Sequence, residues 1–206
     1  LPFDITDESA QDEALDLVKV RFGGVDLLVN NAGLSQRAQV LETDMAAYRK
    51  LMEVDVFAQI ALTKRVLPGM LEAGGGHIAV TSSVSGKIGS QGRAGYCAAK
   101  HAIMGFFDSL RAEHAKDGIT VSTIVPGYIN TLIAYNAVTG DGSAFGQARK
   151  GNAGGMDVNA CARVITRGLR KGRAEIPVGQ GVEMNALWLK RLFPGLVFRM
   201  VARIPE

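Results

Sequence analysis

Apolar residues along the chain switch between helical and strand spacing, with glycine or proline at most of the switches. After the turn and capping residues Asp4-Ile5-Thr6-Asp7-Glu8, the positions Ala14, Leu15, Leu17, Val18 and Val20 recur at helical spacing, which predicts a helix over 8–22. Gly23-Gly24 stops it, and Val25 to Asn30 shows no polar alternation, as expected of a strand buried on both faces. A long helical pattern runs from Thr43 to Leu71 with nothing stronger than Pro68-Gly69 to interrupt it. Its apolar arc, which includes Leu51, Val54, Phe57, Ala58 and Leu62, is wide enough for burial on two sides, against a sheet and against a partner subunit.

Gly74 to Gly76 end that helix, and His77 to Thr81 read as the next strand, with Ser82 and Ser83 at its carboxyl end. Gly86, Gly89, Gly92 and Gly95 loosen the connection to a helix that opens at Tyr96 and runs to Asp117. Ile119 to Val125 form a strand that stops at Pro126, Asp157 to Lys171 a capped helix, and Ala174 to Val178 a last strand. Residues 132–156 are rich in glycine, as active-site lids are, and read as a flexible lid. Within it Gly140 to Gly146 has the wrong spacing for a phosphate loop, and no strand feeds it. The alternation predicts one α/β domain over residues 1–206, with no internal repeat.

The stretch 182–203 mixes Trp188, Leu192, Phe193 and Phe198 with Lys190, Arg191, Arg199 and Arg203, and is broken at Pro194-Gly195. It reads either as a substrate-pocket or interface helix or as a basic amphipathic element on an anionic membrane surface. The packed reading is preferred, because such helices more often pack than bind membranes.

Composition narrows the class. A chain of 206 residues with 47% hydrophobic and 21% charged residues can bury a full core and leaves no room for a second domain. The net charge of +3 is dispersed except for a cluster from Arg163 to Arg173 and the carboxyl-terminal segment. That is too diffuse for nucleic acid, yet it suits an anionic ligand such as a dinucleotide. Cys97 and Cys161 show neither metal nor disulfide spacing, and His77, His101 and His114 show no metal spacing, so no metal is expected. With no secretory signal and no charge-free apolar run of about 18 residues, a reducing cytoplasm is the expected compartment.

The chemistry centres on Tyr96 and Lys100, which stand one helical turn apart on one face. A phenol, with its reference pKa of about 10, needs help to transfer protons near neutrality, and an adjacent ammonium gives that help. Ser83 adds a hydroxyl at the end of a strand. A Tyr/Lys pair alone is most often a solvated surface pair, and Asn30-Asn31-Ala32-Gly33 alone is most often a turn. No Gly-x-Ser-x-Gly elbow supports a hydrolase.

Taken in order, Asn30-Asn31-Ala32-Gly33, Ser83, Tyr96-x-x-x-Lys100 and Pro126-Gly127-Tyr128-Ile129-Asn130-Thr131 resemble the short-chain dehydrogenase/reductase family over roughly residues 1–180. Tyr96 to Glu113 followed by Pro126 to Thr131 is similar to its member 7 branch and bacterial relatives. The resemblance implies a Rossmann-type doubly wound parallel sheet and NAD(P)-dependent interconversion of a secondary alcohol and a ketone or aldehyde. It implies that Tyr96 is the acid/base, that Ser83 holds the substrate oxygen, and that Lys100 binds the nicotinamide ribose and lowers the Tyr96 pKa. Asp4 and Ile5 would contact the adenine side, and Asn31, Ala32 and Gly33 would lie under the adenosine ribose. Pro126, Gly127, Ile129 and Thr131 would line the nicotinamide and phosphate side. It further implies a small apolar alcohol or carbonyl substrate and a homodimer or homotetramer. No residue here chooses between NAD and NADP; the resemblance tips the choice to NADP.

Two departures stand out. The Gly-rich cofactor loop and the first strands of such a fold are not in this sequence, so a sheet truncated at its amino end is expected, with Leu27 to Asn30 as an exposed edge. Where the family carries an Asn on the long helix, this chain has Asp55. An ionised carboxylate there would partly neutralise Lys100 and make the Tyr96 phenolate harder to form. Both departures favour the alternative of a non-catalytic fragment or binding protein that keeps the fold.

Overall fold

The computed structural model describes residues 1–147 and 154–204. Four strands, β1 (Leu27–Asn30), β2 (Gly76–Thr81), β3 (Ile119–Pro126) and β4 (Glu175–Val178), pair in sequence order and all run parallel. Parallel neighbours need crossovers, and helices supply them. Helix α1 (Glu8–Phe22) precedes β1, α2 (Met45–Met52) and α3 (Ala58–Glu72) lead to β2, α4 (Ala94–Glu113) to β3, and α5 (Val158–Arg170) to β4. Helices α6 (Val182–Leu192) and α7 (Pro194–Val201) follow.

Alternation along β2 sorts the two faces of the sheet. Ile78 and Val80 enter a core with Val66 and Met70 of α3 and Ile103, Phe107 and Leu110 of α4. Ala79 points the other way, into a smaller core with Ile124, Ile176 and Cys161 of α5. Helices therefore cover both faces, which makes this the expected Rossmann-type doubly wound parallel sheet. Because the strands are parallel, Asn30, Thr81, Pro126 and Val178 all end at one edge, where open α/β sheets bind ligands.

Local chemistry sets the ends of α1. The Asp7 carboxylate accepts the Ser9 and Ala10 amides, and Gly23 closes the other end in a left-handed conformation at φ 83°. Its buried Gln11 donates to the Ile5 carbonyl at 2.6 Å and the Ala58 carbonyl at 3.2 Å, hooking α1 onto the start of α3.

The structure corrects several boundaries. The pattern from Thr43 to Leu71 is not one helix. A π-turn over Glu53–Phe57 separates α2 from α3, with the Ala58 amide reaching back to the Glu53 carbonyl, whereas Pro68 and Gly69 lie inside α3 without ending it. The Tyr96 helix begins at Ala94 and stops at Glu113, short of Asp117. The first strand spans only Leu27–Asn30 and is not buried on both faces. Leu28 packs into the larger core, but Leu27 and Val29 on the other face are 46% and 43% exposed, because the core on that side stops at β2. The carboxyl-terminal segment is two helices that meet at Phe193, with Pro194 in the first turn of α7, where its missing N–H is no loss. In the glycine-rich segment, Val138 bridges to Gln36 and Ala144, Ile129 bridges to Met156, and Thr139, Asp141 and Ser143 close a turn. Gly151 lies outside the described residues.

Candidate active site

Tyr96 and Lys100 occupy the first turns of α4, whose amino terminus is held by a residue from a distant loop. The fully buried Gln36 accepts the Gly95 amide at 2.7 Å and the Tyr96 amide at 3.4 Å, and donates to the Thr43 hydroxyl at 2.9 Å. Ser83 sits two residues past β2, at the cap of a short 3-10 turn over Val84–Gly86, and accepts the Ser85 amide at 3.1 Å. That turn is pressed onto α4. A Cβ on Gly86 would meet the Lys100 carbonyl at 2.6 Å, and the Ser82 hydroxyl donates to that same carbonyl at 2.9 Å.

Ser83 and Tyr96 line the same cavity, and the Ser83 hydroxyl acts on the Tyr96 phenol to lower its pKa. Burial pushes the Tyr96 pKa up to about 12; Ser83 and Arg93 ease it, while Asp55 raises it further. Ser83 and Arg93 therefore give the relief expected of Lys100. The Lys100 ammonium lies 5.7 Å from the Tyr96 ring centroid, donates to the Thr81 carbonyl at 3.0 Å, and stands 3.8 Å from Asp55 Oδ1.

Asp55 is carried by the π-turn into the floor of the site, fully buried. Its Oδ1 accepts the Leu34 amide at 2.8 Å, and its Oδ2 is buried with no hydrogen-bond partner. Burial raises its pKa to about 6, opposed by Lys100 and the Leu34 amide; burial lowers Lys100, opposed by Asp55. Gly33 makes this approach possible, since a Cβ there would come within 2.8 Å of Asp55 Oδ1 and 3.2 Å of Lys100 Nζ.

A cavity of about 700 Å³ opens over the Ser83–Tyr96 pair. Of the residues expected to contact a cofactor, Pro126 and Gly127 line it together with Tyr96. Asn31 accepts the Thr81 hydroxyl at 3.0 Å, at the ends of β1 and β2, and the Ala32 carbonyl takes the Gln59 amide at 2.7 Å. Asp4 is exposed and bonded locally to Thr6, the Ile5 carbonyl serves Gln11, Ile129 is buried in the smaller core, and Thr131 is exposed; none of these four lines the cavity. The donor set at the strand ends is an ammonium with neutral hydroxyl and amide groups, which fits a ribose. The Pro126-Gly127 backbone wall beside it fits a flat ring.

Sequence reasoning missed Gln36, Gln59 and Arg93. Nothing in their spacing distinguishes them; they matter because distant loops converge. Among the described residues no group of three His, Cys, Asp or Glu side chains could hold a metal ion.

The model of the short chain dehydrogenase family matches residues 1–148. Dehydrogenase/reductase SDR family member 7B of Danio rerio is 38% identical over 200 residues, 97% of this chain and 65% of that protein. The chain spans 62% to 65% of the length of the curated relatives of that name. A short-chain dehydrogenase structure from Streptomyces avermitilis superposes with a TM-score of 0.81 at 28% identity, covering 97% of this chain and 77% of that one. A gluconate 5-dehydrogenase from Burkholderia cenocepacia, solved in complex with NADP and tartrate, gives 0.61 at 29% identity over 64% of this chain and 51% of that one.

Proposed function

Because the chain belongs to the short chain dehydrogenase family, we propose that it carries the catalytic centre of a nicotinamide-dependent oxidoreductase that interconverts a secondary alcohol and a carbonyl compound. The observation that carries this reading is the convergence of Ser83 and Tyr96 on the wall of the large cavity, with Ser83 easing the Tyr96 pKa. When bound, the nicotinamide supplies or accepts the hydride. NADP is the favoured form, as in the gluconate 5-dehydrogenase complex.

In reduction, Tyr96 is the proton donor, and burial keeps it protonated across the neutral range. Ser83, whose oxygen already accepts the Ser85 amide, keeps its hydrogen for the substrate oxygen or the phenol. Lys100, which donates to the Thr81 carbonyl, would hold a ribose hydroxyl. Oxidation needs the phenolate, so its rate rises with pH toward about 12.

Reduction of a panel of ketones by the chain, followed through the absorbance of NADPH or NADH, tests the proposal. Tyr96→Phe is expected to abolish turnover and leave cofactor affinity within about a few fold, since the phenol donates a proton rather than anchoring the ligand. A Phe variant that keeps most of its kcat ends the assignment. The second reading, a binding protein without turnover, is favoured by the carboxylate of Asp55 standing 3.8 Å from Lys100. Cofactor binding with no turnover of any carbonyl at any pH would support it.

A further inference from the structure

The cavity over Ser83 and Tyr96 has walls of contrasting character. One side is apolar, formed by Trp188, Leu192, Phe193, Val197, Met200 and Ile204 of α6, α7 and the residues that follow. Its volume of about 700 Å³ is that of a site for a whole small molecule rather than for a carbonyl group alone. Arg93 lines the cavity too.

Arg93 is an unusual cation. Its guanidinium makes no hydrogen bond or ion pair among the described residues, and its Nε is buried without a partner. It precedes the first residue of α4, where the helix dipole disfavours a positive charge. Leaving a buried donor without a partner is destabilising. The Nε itself is closed to a ligand, but the side chain lines the cavity and its terminal nitrogens, which are not buried, are free to meet one there. Its charge already reaches the Tyr96 phenol, which it eases, so an anion bound to it would lie close to the reacting oxygen. The cavity's carboxylate, Glu183, does not compensate it: Glu183 is engaged with the Tyr128 amide at 3.1 Å, at the Gly127 end.

Building on the oxidoreductase reading above, we propose that the substrate is an amphipathic carbonyl compound whose anionic group, a carboxylate or a phosphate, is held by Arg93 close to the carbonyl while its apolar chain lies along the α6–α7 wall. The chemical step is unchanged: the carbonyl carbon gains hydride from reduced nicotinamide, its oxygen gains the Tyr96 proton, and the anionic group takes no part.

Trp188 is the single tryptophan of the chain and lines the cavity, so its fluorescence reports binding without turnover. Titration of the 206-residue chain with dodecanoate, dodecyl phosphate and dodecanol compares two anions with a neutral chain of equal length. At least one anion is expected to bind about 10-fold or more tighter than the alcohol, as a charge-assisted bidentate contact provides. The two anions together separate a carboxylate from a phosphate. Arg93→Met is expected to bring the tighter anion within about 2-fold of the alcohol, and Arg93→Lys to restore part of the preference.

In turnover, the ratio of kcat/KM for a long-chain oxo acid to that for its methyl ester is expected to fall in Arg93→Met. The ratio cancels any change in Tyr96 itself. Equal binding of all three probes by the unaltered chain overturns the proposal without any variant, as does a preference that survives Arg93→Met. Binding through Arg93 with no turnover overturns the oxidoreductase reading and leaves the ligand class standing. Turnover of acid and ester with equal efficiency overturns the ligand class alone.

Discussion

Asp55 is the residue on which the site's electrostatics turn. Its carboxyl has an ordinary value of 3.8 and is raised to about 6 by burial, so the folded chain holds that proton more tightly than the unfolded chain does. This contribution to stability is present below 3.8 and is lost as pH climbs to about 6. Asp55→Asn is expected to remove that part of the pH dependence, leaving a flatter curve of denaturation midpoint against pH between those limits. An equally steep decline in the variant would mean that another group titrates. The same carboxylate pushes the Tyr96 phenol up, so Asp55→Asn is also expected to raise kcat for alcohol oxidation at neutral pH and to move its alkaline limb to lower pH. A rate profile that stays in place or moves to higher pH would show that Asp55 does not hold the phenol back.

At the scale of elements, the site depends on two short non-α-helical pieces rather than on the long helices. The π-turn over Glu53–Phe57 turns Asp55 toward Lys100, and the 3-10 turn over Val84–Gly86 sets Ser83 against Tyr96. The second of these is locked by contact, because Gly86 lies so near the Lys100 carbonyl and the Ser82 hydroxyl that a methyl group cannot enter without moving backbone. Gly86→Ala is expected to destabilise the chain by about 1–3 kcal/mol, as overpacking does. It should also lower kcat more than it changes KM, since Ser83 moves off the phenol. Thermal denaturation and steady-state kinetics check both parts, and an unchanged midpoint with unchanged kcat would show that the turn gives way freely.

Across the whole molecule, the sheet closes differently at its two sides. Strand β4 is followed by α6 and α7, which wall the cavity, whereas β1 is hydrogen-bonded only to β2 among the described residues. Leu27 and Val29 stand exposed on that strand, and a bare apolar edge invites pairing with another chain. Val29→Lys is expected to lower the self-associated fraction of the 206-residue chain in sedimentation velocity runs, because a lysine on an edge strand opposes addition of a further strand. Identical distributions for both chains would place self-association on another surface.

Local chemistry alone determined much of this protein. Capped helices, glycine stops and apolar strands made the α/β order legible, since those signals act within a few residues of one another. Tertiary structure decided what depends on residues far apart in sequence. Val54 to Ala58 carry no helix breaker, and only the folded chain shows the π-turn that brings Asp55 under Gly33 and beside Lys100. Gln36 reveals its role only where it meets the amides of Gly95 and Tyr96, and Arg93 only where no partner meets it beside an apolar wall drawn from the chain's other end. Desolvation is the physical reason: it depends on what the whole fold packs around a group, and here it shifts Asp55, Tyr96 and Lys100 together.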